Sequence, residues 1–144
     1  MTSVVFGPSI HDSVDADDGA IDGSGLAGDD WFSGCGSCGV TFHFDDGALG
    51  DLPTYAGMVW TDGAGTITFE AFDENGVSLG KIFGNDADGS FNGETAEDRF
   101  FGVFNSGGIS AIKLSNASGG IELDHVQYGL GNAPRQLPSL RFGC

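Results

Sequence analysis

The sequence predicts an all-β protein, an antiparallel β-sandwich of jelly-roll type. Short runs in which apolar and polar residues alternate recur along the chain, and no segment shows a sustained helical period. Glycine is frequent, with 26 residues among 144, and it clusters between these runs, where it allows tight turns. Many short strands joined by Gly-rich turns are typical of two sheets packed face to face.

The strands of the first half are marked by alternation and by one hairpin signal. Residues 40–44 and 66–71 alternate, so each stretch predicts a strand with one buried face. His43 falls on the outer phase and is expected in solvent. Residues 56–60 are wholly apolar, as in the middle of a sheet. Asn75-Gly76 lies between two apolar runs, and this dipeptide predicts a hairpin.

Three further strands are predicted within residues 100–128. Gly-centred turns at 105–108 and 116–120 separate them, and a similar turn is expected at 61–65, after the wholly apolar run. With the strands of the first half, this gives a total of about eight or nine strands, few of them long.

The last of these strands changes phase. Ile121 and Leu123 share one face, whereas Val126 and Tyr128 belong to the other phase. A strand whose side chains alternate can change faces only through a bulge or by burying a polar residue. Asp124 is therefore predicted to occupy an unusual position.

Several of these stretches resemble a known domain. The segments AEDRFFGV, GGISAI and GGIELDHVQYG, together with GVTFHFDDGALGDLPTYAGMVW and the residues up to Gly80, resemble the jelly-roll domain of exported bacterial proteins of the PEP-CTERM-associated type. The resemblance covers roughly residues 38–129. It implies a secreted sandwich, often compared with carbohydrate-binding modules, and it transfers no catalytic residue. The sorting tail of such proteins is not found within residues 130–144.

The resemblance suggests a division of the chain into three parts. Residues 1–37 would hold a strand at 3–6 and an Asp/Gly-rich loop, as part of the same domain or as an arm. Residues 38–129 would form the jelly-roll core, and 130–144 a C-terminal tail. The implied location is extracellular or at the cell surface. Because Met1–Ile10 lacks the pattern of a secretory leader, we expect an exported form to have lost one.

The charge balance restricts the partners. The chain has 5 Lys and Arg residues and 21 Asp and Glu residues, which gives a formal net charge of −16. Such a surface repels nucleic acid and anionic membranes, so neither is an expected partner. No apolar run approaches the ~20 residues of a membrane-spanning helix. The same negative charge favours binding of divalent cations. The alternative is that the acidic residues only keep the surface solvated.

One acidic stretch copies the ligand spacing of a calcium loop. Oxygen-bearing side chains recur at every second position from residue 86, and a Glu follows eleven positions after the first, as in loops that wrap Ca²⁺. The sixth position is Phe91 rather than Gly, so this is no EF-hand, and an acidic loop held by Gly turns is the alternative. Asp124 is a candidate for a second or shared site. The predicted Ca²⁺ ligands are Asp86, Asp88, Ser90, Asn92, Glu97 and Asp124.

The three cysteines leave several possibilities open. Cys35-Gly-Ser-Cys38 could be a redox pair, half of a zinc site or a local disulfide. Redox chemistry favours a helix N-terminus and zinc needs four ligands, neither of which the spacing indicates. We therefore expect a Cys35–Cys38 disulfide, formed in an oxidising compartment. Cys144 then remains as a thiol or as an intermolecular link.

Three functions from different classes fit the sequence. The first is a non-catalytic extracellular module, with Ca²⁺ as a candidate stabiliser, that binds glycan through Trp31 and Tyr55. Trp60 and Tyr128 are expected in the core. The second is a self-associating structural surface or matrix protein, in which residues 1–10 or 130–144 donate a strand to another copy. The third is a glycoside-active enzyme. Its paired carboxylates would come from Glu70, Glu94, Glu97 and Asp124.

Overall fold

The computed structural model describes residues 31–89 and 98–131, and these residues form strands and connections without a helix. All strand pairs are antiparallel, so the predicted all-β antiparallel class is confirmed. The six strands are β1 Trp31–Ser33, β2 Val40–His43, β3 Tyr55–Asp73, β4 Ser78–Gly84, β5 Arg99–Phe104 and β6 Ile109–Gly129.

Two long strands, β3 and β6, form the central ribbon of the sheet. They pair with each other along their whole length, from Tyr55 opposite Gly129 to Asp73 opposite Ile109. Each half of the ribbon has its own flanking strands. The second half of β3 and the first half of β6 lie between β4 and β2, whereas the remaining halves lie between β5 and β1.

The ribbon folds over, so that its halves face each other. Met58, opposite Phe101, precedes Phe69 by eleven positions, and a straight strand would separate the two by ~36 Å. The rings of Phe69 and Phe101 nevertheless stack with their centroids 6.0 Å apart. The halves are thus the two layers of a sandwich, with β2-β6-β3-β4 in one and β1-β6-β3-β5 in the other. The all-β sandwich is therefore confirmed, and the jelly-roll type stays a prediction.

The core lies between these layers and takes side chains from both. The alternation at 66–71 is confirmed, because Ile67, Phe69 and Ala71 are buried while the residues between them are more exposed. The wholly apolar run at 56–60 is buried throughout, as expected for a central strand. The buried core cluster comprises Val40, Ala56, Met58, Trp60, Ile67, Phe69, Ala71, Phe101, Ile109, Ile112, Leu114, Ile121 and Leu123.

The turns predicted at 61–65 and 116–120 are wrong, because both stretches continue a strand. They lie opposite each other in β3 and β6 and bend the ribbon through several register shifts. We call this bend the corner of the ribbon. The buried Asn116 stabilises it, because its Nδ2 donates to the carbonyls of Ser118 (2.6 Å) and Gly120 (2.9 Å). A Cβ at Gly63 would lie 2.5 Å from Asn116 Oδ1, so the corner needs glycine there. Glycine therefore marks a bend here rather than a reversal of the chain.

The predicted hairpin at Asn75-Gly76 is confirmed between β3 and β4. Gly76 adopts a φ of 74°, and its N–H donates to the Asp73 carbonyl at 2.9 Å. Asp73 Oδ1 also accepts from the N–H groups of Asn75 (2.9 Å) and Val77 (2.8 Å). The turn is thus fixed by side-chain and backbone bonds that the local sequence encodes.

Cys35 and Cys38 form a disulfide in the loop between β1 and β2, as predicted. The loop is fastened to the corner of the ribbon, because Gly36 N donates to Gly119 O (2.8 Å) and Asn116 N donates to Gly36 O (3.0 Å). The sheet therefore begins before residue 38, with β1. The strand expected at 3–6, most of the tail and Cys144 lie outside the described residues.

Candidate functional site

A cleft of about 340 Å³ opens between the two layers, where the end of β2 faces the end of β6. Its walls come from the end of β2 with the residues that follow it, and from the last residues of β6. The volume falls within the range usual for small-molecule sites. The lining residues are Phe42, His43, Phe44, Asp45, Ala48, Val126 and Tyr128.

Two aromatic rings dominate the cleft. Phe44 and Tyr128 lie with their ring centroids 5.0 Å apart and their planes tilted by 40°. Phe44 is anchored by its N–H, which donates to the Ser110 carbonyl at 2.9 Å. Tyr128 is 47% exposed, so the expectation that it lies in the core is wrong, whereas Trp60 is fully buried as expected. Tyr128 lines the cleft near the end of β6, where its ring stays partly in solvent.

Polar groups stand at the rim of the same cleft. His43 is exposed, as its outer phase predicts, and Asp45 is exposed beside it. Asp45 Oδ1 accepts from Gly47 N at 3.0 Å, which fixes the carboxylate at the rim. An imidazole, a carboxylate and the Tyr128 hydroxyl therefore surround an aromatic face. This combination can pack against an apolar ring surface and hydrogen-bond to hydroxyl groups around it.

A β-bulge in β6 aims Tyr128 into the cleft. Val59 lies opposite Asp124 and Gly57 opposite Gln127, so β6 has one residue more than β3 between these pairs. His125 lies in this bulge with a φ of 49°, a conformation that residues other than glycine seldom adopt. The predicted change of phase is thus confirmed as a bulge, and Asp124 is also buried, with 5% of its surface exposed.

Asp124 and His125 are in close contact at this bulge. Asp124 Oδ2 lies 2.7 Å from His125 Nδ1, and Oδ1 accepts from His125 N at 2.6 Å. The side chains are 7% and 10% exposed. Both oxygens of the Asp124 carboxylate are therefore engaged by the next residue, which reduces their availability to a metal ion.

The predicted aromatic ligands lie elsewhere. Tyr55 is exposed as expected, but it is not among the lining residues of the cleft. Its ring covers the backbone at Gly131, where an added Cβ would lie 2.8 Å from a ring carbon. Trp31 is part of β1, with its backbone opposite Leu123, and its side chain lies outside the described part of the chain.

The predicted calcium ligands are described only in part. Asp86 Oδ1 lies 3.0 Å from Arg99 Nε, so this carboxylate has a cationic partner. Asp88 is exposed, and Ser90, Asn92 and Glu97 lie outside the described residues. Within 31–89 and 98–131, no group of three or more His, Cys, Asp or Glu side chains could hold a metal ion. The described donors therefore do not assemble a calcium site, and the Ca²⁺ site stays a prediction.

The predicted carboxylate pair is also described only in part. Glu94 and Glu97 lie outside the described residues. Glu70 is in the layer that contains β4 and lies 3.2 Å from Lys81, whereas Asp124 is in the other layer and engages His125. These two carboxylates do not face each other across a cleft.

A second cleft, of about 190 Å³, opens between the edge strands β4 and β5. Its walls are mainly apolar, and Lys81 at its rim is the residue that pairs with Glu70. Beside it, β4 exposes several apolar side chains to solvent. The lining residues are Phe69, Ala71, Leu79, Gly80, Lys81, Ile82, Gly102 and Val103.

No protein-family model matches the chain, and neither does any curated protein or solved structure at a significant level. Within the described residues, no helix is long and apolar enough to cross a membrane. The arguments about function therefore depend on the geometry of the clefts and on the chemistry of their residues.

Proposed function

We propose that the protein is a non-catalytic extracellular module that binds glycan in the cleft between β2 and β6. The observation that carries this proposal is the half-exposed Phe44–Tyr128 pair in a concave site with a polar rim. Sugar rings present apolar C–H faces that pack on aromatic rings, and their hydroxyls need hydrogen-bonding partners nearby. The cleft offers both kinds of contact within one small volume.

The charge of the chain specifies the class of glycan. The net charge is −16, and Asp45 lies at the rim of the cleft with Asp46 next to it in sequence. This negative charge would repel a ligand that carries a uronate or sulfate group. The ligand is therefore a neutral oligosaccharide rather than an acidic one.

Two features support an extracellular setting. The Cys35–Cys38 disulfide is of the kind that persists in oxidising compartments. The resemblance over residues 38–129 is to a domain of exported proteins.

The experiment measures binding to neutral hexasaccharides of glucose, xylose, mannose and N-acetylglucosamine, with alginate and heparin fragments as anionic probes. We expect at least one neutral probe to bind, and Tyr128→Ala to weaken that binding about tenfold, which corresponds to ~1.4 kcal/mol. The matched control is Ile82→Ala in the second cleft, which is expected to leave the affinity unchanged. Preferential binding of the anionic probes, or an equal loss in both variants, would contradict the proposal.

One observation favours self-association as a second function. Strand β4 pairs with β3 alone among the described strands, and it exposes apolar side chains, with Phe83 66% exposed. An apolar edge strand is a template for a strand of another copy. However, a bulge at Leu79 and the cation of Lys81 lie on the same strand, and both features oppose such addition. Glycan binding is therefore the better supported function.

Light scattering decides between a monomer and a self-associating chain. If self-association is the function, the full chain forms dimers or larger species whose fraction rises with salt, since salt screens the repulsion between acidic copies. The variant for comparison lacks residues 130–144, the segment expected to donate a strand. A monomer at every concentration and salt would remove this second function.

A further inference from the structure

We propose that the Asp124–His125 bulge is the positioning element of the ligand cleft, with Asp124 clamping His125 in the backbone conformation that the bulge requires. This inference rests on the proposed glycan site, because it concerns how Tyr128 and Val126 come to line it. It assigns a role to a nearly buried Asp–His contact that no other part of the site explains.

The first step of the argument is the register. Before the bulge, Ile121 and Leu123 point into the core. After it, Val126 packs against the core and lines the cleft together with Tyr128. Because side chains alternate along a strand, pairing the same residues with β3 without the bulge would move all later side chains of β6 to the opposite face. If His125 were paired regularly instead of bulged, Gln127 would lie opposite Ala56 and replace Tyr128 on the cleft side.

The second step is the backbone conformation. Bulges of this type usually place glycine at the position with positive φ, because a Cβ disfavours it. Here the position holds His125, with a φ of 49°. A residue with a side chain stays in this conformation only when its surroundings hold it there.

The third step is the clamp that holds it. Asp124 contacts His125 twice, through the backbone N–H at 2.6 Å and through Nδ1 at 2.7 Å. Both side chains are nearly buried, so solvent competes little for these contacts. Neither residue lines the cleft, so the pair acts through Tyr128 and is a positioning element rather than a binding group.

The test combines a readout that needs no ligand with one that does. The first is the set of nuclear Overhauser contacts between the rings of Phe44 and Tyr128. The second is the affinity for whichever neutral hexasaccharide binds the wild-type chain. Loss of the ring contacts in a variant tests positioning even if no hexasaccharide binds, so a failure of the proposed function is distinguishable from a failure of this inference.

Three substitutions and one deletion separate the steps. Deletion of His125 removes the extra residue and leaves Tyr128 opposite Ala56, so the ring contacts should survive without the clamp. Asp124→Ala keeps the extra residue but removes the clamp, so it should weaken the ring contacts and lower the affinity about tenfold. Asp124→Asn keeps an oxygen acceptor for His125 N and should retain most of both. His125→Gly suits positive φ and should keep the ring contacts without the clamp.

The control for general destabilisation is Val59→Ala, since Val59 is buried opposite Asp124 and lies outside the bulge. It should lower stability while leaving the ring contacts in place. If the deletion variant does not fold, the comparison of Asp124→Ala with Val59→Ala decides. Ring contacts and affinity that are intact in Asp124→Ala, or reduced equally in Val59→Ala, would overturn the inference.

Discussion

Two clefts open between the same two layers, at opposite sides of the sandwich, and they differ in the chemistry of their rims. The first has the Phe44–Tyr128 ring pair with His43 and Asp45 beside it. The second has apolar walls, and its cation, Lys81, is already paired with Glu70. An apolar surface alone does not fix the orientation of a bound ligand, whereas polar groups beside it do. The difference assigns specific recognition to the first cleft.

The clefts also differ in how deeply their aromatic side chains are buried. Phe69 and Phe101 stack beneath the second cleft and are buried, whereas Phe44 and Tyr128 are partly exposed. Phe101→Ala should therefore lower the free energy of unfolding by about 3–5 kcal/mol, as for a buried Phe. Phe44→Ala should cost only about 1–2 kcal/mol because less apolar area is lost. Urea denaturation measures both, and equal costs would contradict the assignment of one pair to the core and the other to a site.

The sequence predicted the regular parts of the fold because these depend on local patterns. Alternation at 66–71 marked a half-buried strand, and Asn75-Gly76 marked the hairpin. The phase change at Asp124 correctly indicated a bulge. The corner was missed, because a Gly-rich stretch looks the same whether it reverses a strand or bends it. Only the pairing of 61–65 with 116–120, distant in sequence, distinguishes the two.

The candidate site could be predicted only in part for the same reason. Tyr128 lies in an apolar alternation, which favours a core position, whereas in the structure it lines an open cleft with 47% of its surface exposed. The partnership of Phe44 with Tyr128 joins residues from different layers, so no local spacing encodes it. The available signal was the phase change, which shows that Val126 and Tyr128 leave the face shared by Ile121 and Leu123.

The calcium prediction concerns the connection that follows β4, at the side of the second cleft. If Ca²⁺ binds the folded chain there, a hundredfold excess over its dissociation constant adds about 2.7 kcal/mol to stability. We expect a higher melting midpoint in millimolar Ca²⁺ than in chelator, and Asp88→Ala should abolish the difference. Asp51→Ala, an exposed carboxylate outside the predicted ligand set, is the control. An unchanged midpoint in the wild-type chain would discard the site.

The smallest expected effect is at the Lys81–Glu70 pair, where Lys81 is half exposed. Lys81→Ala should change the free energy of unfolding by no more than about 1 kcal/mol, as for other surface ion pairs. Its effect on assembly is expected to be larger, because a cation on an edge strand opposes the addition of a second strand. Sedimentation of Lys81→Ala against Lys113→Ala, a Lys on the inner strand β6, measures this. Equal behaviour of the two variants would show that Lys81 does not protect the edge.

The most direct test of the central claim is a nuclear magnetic resonance titration of the ¹⁵N-labelled chain with the neutral hexasaccharides. The assignment of recognition to the aromatic cleft predicts that amide shifts concentrate at residues 42–48 and 126–128. Residues 79–82 and 102–103, around the apolar cleft, should stay unchanged and serve as the internal control. Shifts centred on the apolar cleft, or none with any neutral probe, would contradict the account.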